Sequence, residues 1–237
     1  MAKSENAGAS KSPVRKDLWV RVPPAAPLLP ECRAVPCRPL KCVDPRSLDG
    51  GYVYLLGTYL GDGMLTRMRD KPVWKLRVFQ DARYERLADE CARAMFNVVP
   101  NRIGRIQRRR GDGAVELHSH WKHWICLFPQ HGAGPKHARA IRLAVWQANL
   151  VNQYPHEFIK GLIESDGCRI TNFALVRGKR YEYPRYFFSN RSSDIQQLFR
   201  DTCDLIGVSY RQDGPWNISV ARRGSVAFLD EFIGPKS

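Results

Sequence analysis

Two aspartates in this sequence stand out by what precedes them. Asp62 closes the run Leu55-Leu56-Gly57-Thr58-Tyr59-Leu60-Gly61-Asp62-Gly63, and Asp166 closes Ile159-Lys160-Gly161-Leu162-Ile163-Glu164-Ser165-Asp166-Gly167. In each run two small residues stand four apart, Gly57 and Gly61 in one and Gly161 and Ser165 in the other. Residues at that spacing share one helical face, so two such helices could bring their backbones close together. Each aspartate would then sit in a last helical turn, at the negative end of the macrodipole, where a carboxylate is disfavoured. The glycine that follows is available for a left-handed C-terminal position. If the helices pack through their small faces, both carboxylates emerge together and repel unless hard divalent cations lie between them. Carboxylates and water around Mg²⁺ are suited to phosphodiester hydrolysis. The competing reading is a pair of capped core helices whose aspartates are merely solvated.

The elements that must position these residues occur twice. An apolar helix over 52–63 precedes strands near 64–68 and 73–80, separated by Arg69-Asp70-Lys71-Pro72. An amphipathic helix carrying Tyr84, Leu87, Cys91 and Met95 follows, then strands over 102–110 and 114–120 and an apolar helix over 121–128. The second half repeats the order: a helix over 156–167, strands near 168–175 and 183–190, and a helix over 194–207 with Ser193 and Gln196 placed as a capping box. Strands near 208–212 and 217–223 and a last helix over 225–234 complete it. Gly134-Pro135-Lys136 leaves the first unit and Gly234-Pro235-Lys236 the second. The expected fold is therefore α+β, two pseudo-symmetric αββαββα units produced by duplication. Residues 1–49 hold eight of the sixteen prolines and no sustained period, and read as an extended arm. The expected division is 1–49 arm, 50–150 first unit with linker, and 151–237 second unit.

Composition narrows the partner. The chain of 237 residues carries 38 Lys and Arg against 23 Asp and Glu, a formal net charge of +15, which argues for a polyanion and above all nucleic acid. Residues 50–150 are net +9 and residues 151–237 net +2, so the charge lies mainly on a folded unit rather than a tail. No apolar run approaches the ~18 residues that span a bilayer, and the N-terminus lacks the apolar stretch of a signal peptide. A membrane partner is not expected. Seven cysteines, an odd number, fit a reduced compartment, and the expected location is the cytoplasm, on the nucleoid. Cys32, Cys37 and Cys42 lack the paired spacing of a zinc site, and His118, His120 and His123 form the main rival metal cluster.

The two nine-residue runs, 104 residues apart and each opening an αββαββα unit, resemble the two copies of the LAGLIDADG motif of homing endonucleases. The resemblance covers residues 50–237 and is of the monomeric double-motif type; the first copy departs at Thr58 and Leu60, away from the aspartate and the small-residue face. It implies that the motif helices form the central interface and that Asp62 and Asp166 bind metal, with Gly61 and Ser165 beside them. It also implies basic residues near the scissile phosphates, here Lys136 and Lys236, with Arg142 a further candidate. The cofactor so implied is Mg²⁺, with Mn²⁺ able to substitute and Ca²⁺ supporting binding without efficient cleavage. The implied activity is site-specific cleavage of double-stranded DNA at a long asymmetric target by a monomer. A non-cleaving DNA-binding regulator and an RNA maturase on the same fold are the alternatives.

In that family the strands lie in the major groove, and alternation along these strands permits it. Lys75 and Arg77 share the face opposite Trp74, Leu76 and Val78. Arg105, Gln107 and Arg109 alternate with Gly104, Ile106 and Arg108, and Arg185 lies opposite Tyr186, Phe188 and Asn190. Arginine and glutamine can make paired contacts to guanine and adenine, so these side chains are candidates for base reading.

Overall fold

The computed structural model describes Asp44, residues 47–100, the backbone of 105–108, and residues 113–236. Most of the expected arm, including Cys32, Cys37 and Cys42, lies outside the described residues. The folded part opens with Leu48, 7% exposed in the core, and Asp49, whose carboxylate accepts from the Gly51 amide at 2.9 Å and caps the first helix. That helix, α1, runs Gly50–Asp62, followed by β1 (Gly63–Arg67), β2 (Trp74–Asp81), α2 (Glu85–Val98), β3 (Arg105–Arg108), β4 (Ala114–Trp121) and α3 (Trp124–Leu127). A 3-10 turn at Lys136–Ala138 and a helix α4 (Val145–Gln153) lead to α5 (Pro155–Asp166), β5 (Gly167–Val176), β6 (Lys179–Ser189), α6 (Ser193–Leu205), β7 (Arg211–Gln212), β8 (Asn217–Val220) and α7 (Arg223–Asp230). The order αββαββα thus occurs twice. Each unit has an antiparallel four-stranded sheet, β1-β2-β4-β3 in the first and β5-β6-β8-β7 in the second. Among the described residues no helix is long and apolar enough to cross a membrane.

Equivalent positions in the sheets are fixed by pairing: the glycine after each motif aspartate faces Val78 in one unit and Phe188 in the other. From there the alternation works as expected. Leu76 and Val78, and Tyr186 and Phe188, are buried beneath the sheets, and the Phe188 ring stacks on Phe199 of α6 at 4.4 Å.

Several local expectations are corrected. The helix expected over 121–128 is only Trp124–Leu127, because β4 continues to Trp121, which pairs with Trp74. The cap of α6 is Ser192, whose Oγ accepts from the Ile195 amide at 3.4 Å, not Ser193; Gln196 instead donates to the carbonyls of Asn190 at 2.8 Å and Pro215 at 3.0 Å. Helix α4 was not expected, since Ala144 offers no capping side chain. Its first turn is held by Gln147, whose Oε1 accepts from the Ala144 amide at 2.9 Å and whose Nε2 donates to Tyr52 Oη at 2.8 Å. Gly63 and Gly167 are extended rather than left-handed, with φ of −94° and −117°. Glycine is required there for space: a Cβ on Gly63 would fall 2.5 Å from Tyr59 Cα, and one on Gly167 2.7 Å from the Phe187 carbonyl.

The two units meet where α1 packs on α5. A Cβ on Gly57 would stand 2.6 Å from the Phe158 carbonyl oxygen, and one on Gly161 2.9 Å from the Thr58 nitrogen and 3.1 Å from Gly57 Cα. These obstacles are backbone atoms, which cannot rotate away. Gly161→Ala should therefore separate the helices and cost about 1–3 kcal/mol or more in denaturant unfolding. Gly224→Ala in α7, where a Cβ meets nothing within 4 Å, is the control, and should be neutral or stabilising by up to ~1 kcal/mol.

Candidate active site

Close packing brings the motif aspartates to one place. Gly61 lies so near the second helix that a Cβ there would sit 2.5 Å from Ser165 Cβ and 3.1 Å from Asp166 Cγ. Asp62 and Asp166 therefore project side by side at the same end of the helix pair. Burial first, and then the neighbouring Asp166 charge, push the Asp62 carboxyl up to about 6, against the pull of Lys236 and Lys136. Burial likewise raises Asp166, opposed by a hydrogen bond that Asn190 Nδ2 donates to its Oδ2 and by both lysines.

The lysines arrive by equivalent routes. Gly134 and Gly234 adopt φ of +77° and +68°, turning the chain so that each Gly-Pro-Lys exit comes back to its motif helix. Lys136 Nζ donates to the Gly61 carbonyl at 2.8 Å and lies 5.1 Å over the Tyr59 ring; Lys236 Nζ donates to the Ser165 carbonyl at 3.2 Å. Burial lowers both, Lys136 to about 8, opposed first by Asp166 and then by Asp62. For Lys236 the leading opposing charge is Asp62. Each lysine thus binds the backbone of its own unit while the aspartate that acts on it most strongly belongs to the other.

The oxygen atoms gathered here suit a hard divalent cation: two carboxylates that repel each other, and the carbonyls of Gly61 and Ser165 at the helix ends. Among the described residues no group of three or more His, Cys, Asp or Glu side chains could hold a metal, so water or phosphate oxygens would have to complete any coordination sphere. The histidine rival is not assembled. His118 and His120 are on β4, their rings 5.4 Å apart, whereas His123 is buried at the start of α3 against Trp121.

Not every expected residue joins the site. Arg142 is exposed, and its carbonyl accepts from Gln130 at 3.0 Å. Lys75 and Arg77 lie on the outward face of β2 and Arg185 on that of β6. Arg105 pairs with His118 and Gln107 with Glu116 across β3 and β4, while Arg109 lies outside the described residues. The sequence reading missed Asn190 as a partner of Asp166, and missed Gln80, Asp81 and Arg83, which line a cleft with Asp62. A signal for two of them was present. Gln80 follows Leu76 and Val78, and Asn190 follows Tyr186 and Phe188, so each is an amide interrupting an otherwise apolar inward row.

Neither a protein-family model nor a curated protein matches this chain. Among solved structures the chain is similar to the LAGLIDADG meganuclease I-AabMI bound to uncleaved DNA, at 10% identity and a TM-score of 0.49, over 80% of this chain and 83% of that one. It is similar to I-DmoI in complex with DNA and Mn at 19% identity and a TM-score of 0.49, over 78% and 96%. It is also similar to the LAGLIDADG homing endonuclease I-GzeII in complex with its DNA target at 13% identity and a TM-score of 0.43, over 78% and 84%.

The raised Asp62 carboxyl has a thermodynamic consequence. A carboxyl raised on folding leaves stability intact below the unfolded value near 4 and loses it as pH rises to the folded value near 6. Asp62→Asn should therefore stabilise the chelator-treated protein by roughly 1–3 kcal/mol at pH 8, a gain that shrinks toward zero near pH 4. Denaturant unfolding of both proteins across that pH range is the measurement.

Proposed function

We propose that the protein is a monomeric, site-specific double-strand DNA endonuclease of the LAGLIDADG homing type, hydrolysing phosphodiester bonds with a divalent metal at a long asymmetric target. The observation that carries this reading is the pair of motif aspartates held together by helices whose backbones touch at Gly57 and Gly161, each faced by a lysine reaching back from an equivalent exit. A solvated pair of capping aspartates would need neither the close backbone approach nor two half-buried lysines.

In this reading Asp62 and Asp166 hold the metal, with the Gly61 and Ser165 carbonyls available to it once the lysines shift toward phosphate. A hard divalent cation, Mg²⁺ with Mn²⁺ as substitute, supplies Lewis-acid activation for the hydrolysis, and Ca²⁺ supports binding without efficient cleavage. Lys136 and Lys236 place protonated Nζ atoms beside the charge that develops on the phosphates. Because Lys136 lies near 8, it keeps its proton at neutral pH. The outward strands meet the DNA grooves, and the unequal charge of the two units, +9 and +2, favours a target whose halves differ.

DNA flanking the gene is the first substrate to try. Mg²⁺ or Mn²⁺ should yield a double-strand break at one position, and chelator should abolish cleavage while binding persists and weakens steeply with salt. Asp62→Asn and Asp166→Asn should each slow cleavage by several orders of magnitude, roughly 4–7 kcal/mol in the barrier, with site binding retained. Lys136→Met should slow it about a hundredfold. Specific binding without cleavage under any divalent metal would replace this reading with a regulator, and specific binding to structured RNA alone would replace it with a maturase.

A further inference from the structure

The outward face of the first sheet carries a carboxylate where the proposed partner is a polyanion. Glu116, 4% exposed on β4, receives both outward cations of β2: Lys75 Nζ lies 2.8 Å from its Oε1 and Arg77 Nη2 2.5 Å from its Oε2. The Arg77 guanidinium also lies 4.9 Å over the Phe79 ring, and its Nη1 reaches Met64 Sδ at 3.9 Å. The second unit achieves the same restraint with different parts. Arg185 Nη2 lies 2.7 Å from Asp213 Oδ2, Arg211 approaches the same carboxylate at 3.7 Å, and the Arg185 guanidinium lies 4.2 Å over the Phe187 ring. In both units the ring is two residues further along the strand and so shares the arginine's face. Each arginine is held at one Nη by a carboxylate and across its plane by a phenyl ring.

For phosphate attraction alone this arrangement is poor. Each carboxylate cancels positive charge, and a pinned side chain reaches fewer phosphates than a free one. Reading a base makes the opposite demand, because the planar fork must meet two acceptors of one guanine in a single orientation. Restraint before binding removes the rotamer entropy that such a contact would otherwise cost. The side chains of Arg77 and Arg185 remain 20% and 14% exposed, so both can still be reached.

Resting on the endonuclease reading above, we propose that Glu116 and Asp213 are specificity-determining positioning residues, holding Arg77 and Arg185 to read guanine edges, one in each half of the target. They act through the arginines and touch no reacting atom. Because Glu116 also holds Lys75, two residues along the strand, its influence spans neighbouring base pairs, whereas that of Asp213 centres on one arginine.

The test uses a randomised 30-base-pair duplex library, from which the full-length wild-type chain, Glu116→Gln and Asp213→Asn each select bound sequences. Competition against single-base variants of the wild-type consensus then gives the preference at every position. Glu116→Gln should lose about tenfold of the preference for guanine at adjacent positions in one half, and Asp213→Asn a similar amount at a position in the other. Both should bind unrelated duplex at least as tightly as wild type, since each removes a negative charge. Asp213 lies in the turn between β7 and β8, outside the core, so its variant carries the test alone if the Glu116 variant fails to fold. Unchanged preference at every position in the folded variants would overturn the inference, as would an even loss along the whole site. A wild-type chain that selects no sequence would overturn the endonuclease reading itself and this inference with it.

Discussion

Between Gly57 and Gly161 no side chain separates the two motif helices, and the Phe158 carbonyl occupies the space in which a Cβ on Gly57 would stand. The candidate site depends on this contact. Helices normally pack with axes 8–10 Å apart because side chains fill the gap, and at that spacing carboxylates on separate helices can remain independent. Removing the side chains at 57, 61 and 161 lets α1 and α5 touch through their backbones and forces Asp62 and Asp166 into one small volume. The glycines after the aspartates extend the same constraint: Gly63 and Gly167 let each chain leave its helix against that helix's own last turn and enter the sheet directly. Sheet and carboxylate are therefore fixed to one another with no intervening loop.

Bringing four ionisable groups together partly away from water is costly, and the shifts at Asp62, Asp166, Lys136 and Lys236 all have burial as their leading cause. Their mutual attraction only partly offsets it. Such a cluster is poor material for stability and good material for meeting a charged ligand, because a ligand that supplies compensating charge gains what folding lost. The crossed pairing adds a further property. Since each lysine interacts with the aspartates of both units, a change in the packing of α1 on α5 would disturb the whole cluster.

The sheets present a different balance. Their inward rows are mainly apolar and continuous with the cores beneath, interrupted by Gln80 in the first unit, whereas their outward rows mix cations with aromatic rings and acids. Lys75 and Arg77 share Glu116, and Arg185 has Asp213, so the cations at the centre of each face are constrained. The acids come from non-equivalent elements, β4 in one unit and the β7–β8 turn in the other. The two faces thus share one kind of restraint built from different partners.

Much of this was legible in the chain. The duplicated αββαββα order, the small residues four apart, the paired aspartates and the matched Gly-Pro-Lys exits are all periodic or repeated features, and repetition survives in a linear sequence. Leu87, Cys91 and Met95 fell on the buried side of α2 as their spacing required, because helical period and burial are set locally. What the sequence left open was decided by contacts between distant segments. Helix α4 lacks a capping side chain at Ala144 and is held by its own Gln147, which also reaches Tyr52, 95 residues away. The motif-end glycines looked like left-handed caps, yet close approach to Tyr59 and Phe187 is what excludes a side chain. Asn190 gained its part from β6 passing beside α5, and Glu116 from β4 pairing next to β2. Spacing along one chain tells which residues share a face, but which faces meet, and which carboxylate a cation finds there, is set by the tertiary packing.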